Sequence, residues 1–559
     1  MIWRDSGAMP DEKNGPHLTG ERQIEESLKR ALKKLEEKTW KVPPPDAVGL
    51  MRPRKREWGD FSSQLPFLLA RLNEKNPREC GEILREHLEG LEDVVESIEI
   101  EGGFLNFTLS YSYLENLLKN ILKDGERFPP LDIGRGERVL IEFVSANPTG
   151  PLHIGHGRGA VLGSALASLL EKGGYRVERE YYVNNVGRQI ELLGESVSLR
   201  IREARGEEIS FSPDHYRGEY LKELVNHYWE ELSSHEKDIP YLAEFACRKI
   251  LEDILKDLKS LGVDFDHIKF EDSLYREGKV EEVIQLLKEK GGVYSQDGAW
   301  WINSSRFGDE KDRVVVRADG RPTYLASDIA YHWEKFSRGY RILINIWGAD
   351  HHGYVPRLRS ALKFLNLPEE NLRIILVQMV TLIKGGKKIP LSTRKGEFIT
   401  LKELVEEVGG DVCRFFFLTR RPDTQLEFDI DLAKKSAPEN PVYYVQYAHA
   451  RISSIFRKWG REKVLSLSPG RNLDNPMEKE LLRILALYPW ILRGAVKSLE
   501  PHRIVSFLLE LATAFHRYYD QVRILGSDKE VDRLSLLEGV RRVIASGLKI
   551  LGIEPKEKM

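Results

Sequence analysis

Two histidines three residues apart, His153 and His156, stand in the string Ser145-Ala-Asn-Pro-Thr-Gly-Pro-Leu-His-Ile-Gly-His-Gly-Arg-Gly159. Just before them, VLIEFVS (139–145) reads as a buried strand, a short β-branched run ended by Asn147, Pro148 and Gly150. Residues 155–172 read as a helix. A strand that empties into a turn and a helix start offers unpaired N–H groups and the positive end of a helix dipole, which suit a phosphate. Gly155 and the glycines around it let a nucleotide approach the backbone. Imidazoles there can donate to oxygens that gain charge as a nucleophile attacks the α-phosphorus, so they stabilise charge without a covalent intermediate. The bland alternative is a strand–helix turn with satisfied histidines.

A second cluster, Trp347-Gly348-Ala-Asp350-His351-His352-Gly-Tyr, follows the strand-like RILINIWG (341–348). A carboxylate so placed can accept from two ribose hydroxyls. Adjacent side chains rarely converge on one ion without partners from elsewhere, so Asp350, His351 and His352 are not read as a metal site. A third segment, IKGGKKIPLSTRKGEF (383–398), concentrates Lys384, Lys387, Lys388, Arg394 and Lys395. It is either a solvated basic loop or the source of a cation for a departing pyrophosphate. Gly385-Gly386 would hinge Lys387 and Lys388, Pro390 would stiffen the chain directly after them, and the fork of Arg394 could bind two phosphate oxygens.

The elements that must position these groups alternate strand and helix. VLIEFVS, the helix 155–172 and YRVEREYYV (175–183) form one βαβ unit; RILINIWG, a helix near 355–365 and RIILVQMVTL (373–382) form another. A charged helical section (about 194–290) and the turn-rich YSQDGAWWINSSRFGDEK interrupt them. The expected fold class is therefore multidomain α/β, with a doubly wound parallel sheet whose ligands sit at the carboxyl ends of its strands. Apolar residues at Ile24, Leu28, Ala31, Leu32 and Leu35 open a small α+β unit that runs through the strand-like Ile98–Leu109. Beyond Thr400 the strand signal ends and an α-helical bundle follows. The expected division is a disordered tail (1–20, or sequence upstream of a start at Met9), an α+β domain (21–130), a catalytic domain (131–400, insertion about 194–310) and a helical domain (401–559).

At 559 residues the chain exceeds one core, and 41% apolar with 31% charged residues describes neither a fibre nor a membrane-embedded protein. A net charge of −2 says nothing on average for nucleic acid. Cys80, Cys247 and Cys413 are isolated and read as small buried hydrophobes. No apolar run approaches a membrane span, and the polar start lacks a secretory signal, so a cytoplasmic protein is expected.

The string IEFVSANPTGPLHIGHGRGA resembles the HIGH signature of class I aminoacyl-tRNA synthetases, and of the arginyl enzymes in particular. REYYVNNVGRQI (179–190), WGADHHGYVPRL (347–358) and NPVYYVQYAHAR (440–451) are similar to the same family, and the likeness covers the chain after residue 20. It implies ATP-dependent activation of arginine and its transfer to tRNA(Arg), with Mg²⁺ beside the ATP, no membrane and a monomer. ATP would meet His153, His156, Gly348 and Asp350. The KMSKS places are held by Pro390, Leu391, Ser392, Thr393 and Arg394, so both signature lysines are absent, and the lysine that some arginyl enzymes carry before HIGH is Gly150 here. Lys387, Lys388 or Arg394 would then steady the pyrophosphate.

A guanidinium offers five donors and no acceptor, so its site needs carboxylates. Glu142 and Asn147 flank the first strand's end, and Tyr324 and Asp328 share a helical face. The resemblance places Asp328 at the guanidinium, with Glu142 and Asn147 on the rest of the amino acid. Tyr444, Tyr447 and Arg451 share another helical face, either a core stripe or a platform for unstacked bases. The resemblance favours an anticodon pocket with Tyr519 and Met559, and puts Asn106 of GGFLNF at the tRNA elbow. Apart from the likeness, HxGH on two βαβ halves also suits a small-molecule nucleotidylyltransferase, and the degenerate loop a noncatalytic RNA-binding paralogue.

Overall fold

The computed structural model describes residues 19–389, 399–460 and 472–559. The expected tail (1–20) lies outside them up to residue 18.

The catalytic sheet has five strands in the order Leu372–Val377, Ile342–Gly348, Arg138–Glu142, Arg176–Val183 and His267–Phe270. All its pairings are parallel. Chain order reverses between Arg138–Glu142 and Ile342–Gly348, and ligands of such sheets bind in the crevice beyond that point. The helix Ile154–Lys172 packs closely on the sheet: a Cβ at Gly163 would stand 2.2 Å from the Phe143 ring.

Five stretches depart from the sequence reading, among them RIILVQMVTL (373–382), which is two strands, Leu372–Val377 in this sheet and Val380–Lys384 in another. The first strand pairs only to Glu142, and Val144 and Ser145 then take φ of +66° and +40°. The helical insertion contributes the edge strand His267–Phe270, whose HIKF alternates polar and apolar residues over only four positions and leaves Ile268 and Phe270 exposed. The turn-rich segment contains two antiparallel strands, Val293–Gln296 and Ala299–Ile302, joined through Asp297-Gly298 at φ +50° and +75°, the conformation an Asp-Gly hairpin favours. Beyond Thr400 a strand does recur: Leu426–Asp429 runs parallel to Val380–Lys384. At four residues it is too short for a period to show.

The N-terminal sheet orders Phe61–Ser63, Phe104–Leu109 and Val95–Glu101 beneath helices that include Gly20–Glu37. It leans on the C-terminal helices Pro476–Ser498 and His502–Gln521. Phe61 meets Trp490 edge-on at 5.9 Å, Arg493 pairs with Glu25 at 2.9 Å, and Arg52 binds Glu510 through two contacts of 2.6 and 2.7 Å. All three cysteines are free and buried. Among the described residues no helix is long and apolar enough to cross a membrane.

Candidate active site

The turn after Arg138–Glu142 is held in its left-handed course by the neighbouring strand. Ser145 Oγ accepts from the Tyr182 N–H at 3.1 Å, and the Tyr181 hydroxyl donates to the Ala146 carbonyl at 2.7 Å. Non-glycine residues at positive φ are held only where surroundings over-determine them, and they cluster at functional sites. His153 then caps the helix. Its Nδ1 accepts from the His156 N–H at 3.4 Å, the Nδ1 of His156 accepts from the His153 N–H at 3.3 Å, and the rings stack 3.7 Å apart. With both Nδ1 atoms accepting, each neutral ring carries its proton on Nε2, so two Nε2–H donors remain for a ligand. Burial lowers the pKa of His153, and burial together with the charge of His153 lowers that of His156 to about 3, so both are neutral near pH 7. A Cβ at Gly155 would come 2.9 Å from the His153 ring.

Gly348 ends its strand beside Asp350, whose Oδ1 would lie 2.4 Å from any Cβ there. Asp350 itself is open, with its side chain 82% exposed. A groove past the turn is lined by Asn147, His153, His156, Gln189, Tyr220 and Lys402. Asn147 donates to Gln189 at 2.6 Å.

The helix Tyr324–Ser337 carries Tyr324, Asp328, Tyr331 and Lys335 at spacings of four, three and four, one continuous face. Tyr324 is 48% exposed at its start. Burial and the charges of Glu271 and Glu142 raise the pKa of Asp328 to about 7, against the opposing pull of Tyr354 and Lys335. Glu271, buried at the end of its edge strand, accepts from Ser327 at 2.9 Å and supplies a second carboxylate that the sequence reading missed. Its only signal was position: it comes directly after a strand that was itself invisible. Glu142 has a partner that its sequence neighbourhood does not show: Lys335 Nζ lies 2.5 Å from its Oε2, with both side chains buried. Between 142 and 335 the sequence offers nothing to join them.

The chain matches three family models in order: an arginyl tRNA synthetase N terminal domain over residues 22–109, a class I (R) tRNA synthetase catalytic domain over 117–414 and a DALR anticodon binding domain over 445–559. An arginine–tRNA ligase of Geobacter sp. (strain M21) is 45% identical over 526 residues, 92% of this chain and 95% of that one. The chain belongs to the arginyl-tRNA synthetase family. A second arginine–tRNA ligase, from Aquifex aeolicus (strain VF5), is 42% identical over 91% of this chain and 95% of its own. The fold is that of the Thermus thermophilus arginyl-tRNA synthetase, with TM-score 0.78 and 24% identity over 96% of this chain and 100% of that one. An arginyl-tRNA synthetase is a class I aminoacyl-tRNA ligase, and ATP-dependent activation of arginine followed by its transfer to tRNA is therefore the reaction of this chain.

In this synthetase Lys387 and Lys388 stand on a hairpin rather than beyond a hinge. Val380–Lys384 and Lys387–Ile389 pair antiparallel across Gly385-Gly386, whose φ of +58° and +70° suit a two-residue turn that only glycine enters freely. The hairpin is anchored, because Gly385 N–H donates to Asp431 at 2.6 Å and Lys384 meets Glu407 at 2.7 Å. Lys387 is exposed, whereas Lys388 pairs with Glu427 at 3.2 Å. Arg394 and the five signature places, Pro390 to Arg394, lie outside the described residues. Arg158, on the histidine-bearing helix and 2% exposed, donates to the carbonyls of Gln378, Thr424 and Arg421 at 2.8 to 2.9 Å, and so ties that helix to the segments flanking the hairpin.

Within the region matching the anticodon-binding model, Arg451 lies between two rings, 4.6 Å from Tyr447 and 4.5 Å from Tyr519. Tyr444 packs on His516 at 4.5 Å, and Met559 is 52% exposed. Asn106 requires a correction. It stands on the central strand of its sheet, opposite Ser62 and Glu99, and is 2% exposed, with Nδ2 3.5 Å from the Phe104 carbonyl. In this structure that side chain is not at the surface.

Proposed function

We propose that the histidine turn and the helix face from Tyr324 to Lys335 form one activation site. ATP lies against His153, His156, Gly348 and Asp350, and arginine against Glu142, Asn147, Tyr324 and Asp328. The observation that supports this reading best is that one helix, Tyr324–Ser337, carries Asp328 and holds two further carboxylates, Glu271 through Ser327 at 2.9 Å and Glu142 through Lys335 at 2.5 Å. Such carboxylates are the acceptors that a guanidinium needs. The substrate's carboxylate is already ionised, so its attack on the α-phosphorus needs no protein base. The two Nε2–H groups donate to the oxygens that gain charge there. A terminal ribose hydroxyl of the tRNA then takes the arginyl group from the adenylate.

Among the described residues no group of three or more His, Cys, Asp or Glu could hold a metal ion. Mg²⁺ would be carried on the ATP phosphates, where it would offset their charge. Residues 21–130, 131–400 and 401–559 are taken as the tRNA-contacting, catalytic and anticodon-binding domains of a cytoplasmic monomer.

The pyrophosphate cation comes from this loop, from Lys387 or Lys388, both exposed on the hairpin and the latter only in a solvent-screened pair with Glu427, with Arg394 as the alternative. In single-turnover activation of arginine by ATP, Lys387→Ala is expected to slow adenylate formation by about tenfold with little change in the ATP KM, the mark of an interaction made mainly in the transition state. Wild-type rates for Lys387→Ala, Lys388→Ala and Arg394→Ala alike would show that the loop supplies no essential cation.

The Tyr447–Arg451–Tyr519 stack is a platform for an unstacked anticodon base. Tyr519→Ala should weaken tRNA binding by about 1–3 kcal/mol, read by filter binding, with the arginine KM unchanged. Equal affinity of variant and wild type would return these rings to the helical core.

A further inference from the structure

Lys335 is a fully buried ammonium for which the activation chemistry has no direct use. It heads a hydrogen-bonded chain. Its Nζ donates to Glu142 at 2.5 Å and to Asn345 Oδ1 at 3.4 Å; Asn345 Nδ2 donates to His332 Nε2 at 2.7 Å; and His332 Nδ1 donates to the Asp328 carbonyl at 2.8 Å. Because the Asn345 amide donates to Nε2 and the Asp328 carbonyl can only accept, His332 is held as the neutral Nδ1–H tautomer. The chain thus joins the carboxylate at one end of the arginine site to the helix turn that carries the carboxylate at the other.

We propose that Lys335 is a positioning and charge-setting residue for arginine selection: its ammonium aims Glu142, tethers the turn of Asp328, and leaves the pocket with a net charge equal and opposite to the substrate's two cations. The inference rests on the assignment of Glu142 and Asp328 to arginine. Glu142, Glu271 and Asp328 carry three negative charges when ionised, and Lys335 cancels one of them. Two remain for the α-ammonium and the guanidinium. Glu180, from the adjoining strand, does not disturb this balance, because Arg338 binds it through two contacts of 2.6 and 2.9 Å and the Tyr331 hydroxyl donates to it at 2.6 Å. Tyr331 also lies under the ammonium, 4.0 Å away. Tyr182 stacks on Tyr331, and Tyr182, Tyr275 and Tyr354, facing the carboxylates, are all neutral phenols with raised pKa. His332 is likewise neutral, its pKa lowered by burial and by Lys335 itself.

Without the lysine, three carboxylates would face two cations, and a proton would be held to higher pH. The test is the pH dependence of the arginine KM in ATP–pyrophosphate exchange with tRNA present. For Lys335→Met the pH at which the KM reaches its low plateau should move up by about one unit, with the KM near neutrality raised about tenfold and kcat much less affected. Lys335→Arg, which keeps the charge, should restore the wild-type inflection. The pair Lys335→Met/Glu142→Gln, which removes both charges, should also restore it while the KM stays raised, and it carries the test if the single variant does not fold. A purely structural lysine would lower activity at every pH without moving the inflection. An inflection in Lys335→Met, or one in the charge-neutral pair, that contradicts these positions overturns the proposal. A normal arginine KM in Asp328→Asn would instead overturn the underlying assignment.

Discussion

Asp328→Asn is expected to raise the KM for arginine about 30-fold to several-thousand-fold and to leave the KM for ATP nearly unchanged. That range corresponds to about 2–5 kcal/mol for removing one side of a buried charge-assisted pair. Asparagine keeps the shape and one acceptor, so the loss reports charge rather than packing. The pH dependence carries a second signature. Burial and the neighbouring Glu271 and Glu142 raise the pKa of Asp328 to about 7 in the empty site. Only the ionised carboxylate pairs with a guanidinium, so arginine binding must displace the proton below that pH. The wild-type arginine KM should therefore fall as pH rises from about 6 to about 8, changing at most about tenfold per unit on the acid side. In Asp328→Asn this slope should flatten. Steady-state exchange kinetics at several pH values decide it: an unchanged arginine KM, or a slope that survives the substitution, rejects Asp328 as the guanidinium partner.

His156→Ala should lower the rate of adenylate formation about 10²- to 10³-fold, the usual effect of deleting one preorganised donor from a site of developing negative charge. Both substrate KM values should change far less, because the donor is better matched to the transition state than to bound ATP. The alanine also removes one arm of the reciprocal cap with His153, worth about 0.5–2 kcal/mol of helix stability, so melting temperatures must be measured alongside. His156→Asn, which retains both an acceptor and an N–H donor, should recover part of the rate. Because burial already holds both imidazoles neutral, the rate at saturating substrates should show no histidine inflection near pH 6.5. Such an inflection, or a His156→Ala rate within a few-fold of wild type, would mean that these rings are structural caps and no more.

Much of this was legible in the order of residues. The strand–turn–helix around His153 and His156 follows from a β-branched run, its breakers and a helical period, all of which act within a few residues. The pairing of Tyr324 with Asp328 follows from helical spacing alone. The hairpin at Asp297-Gly298 was also legible in principle, since that dipeptide favours positive φ and is flanked by VYSQ and AWWI, but strands of four residues are too short to stand out within a turn-rich segment. His267–Phe270 and Leu426–Asp429 were not legible: each has four residues, and its strand character comes from the neighbour it pairs with. Asn106 shows the converse, an amide in a string similar to a tRNA-contacting one, yet buried on the central strand of a sheet whose partners its own neighbourhood does not reveal.

The sequence by itself determined the kinds of element, their order and the chemical character of the turn, because backbone preference, capping and periodicity are short-range. The tertiary structure decided which charges are free to meet a substrate. Glu142 and Lys335 stand 193 residues apart in the chain, and only the close packing of the helix Tyr324–Ser337 over the end of the first strand brings them to ion-pair distance. The proton positions on His153 and His156 were decided in the same way: reciprocal backbone hydrogen bonds occupy both Nδ1 atoms, and burial then forbids the charge that an exposed pair would share.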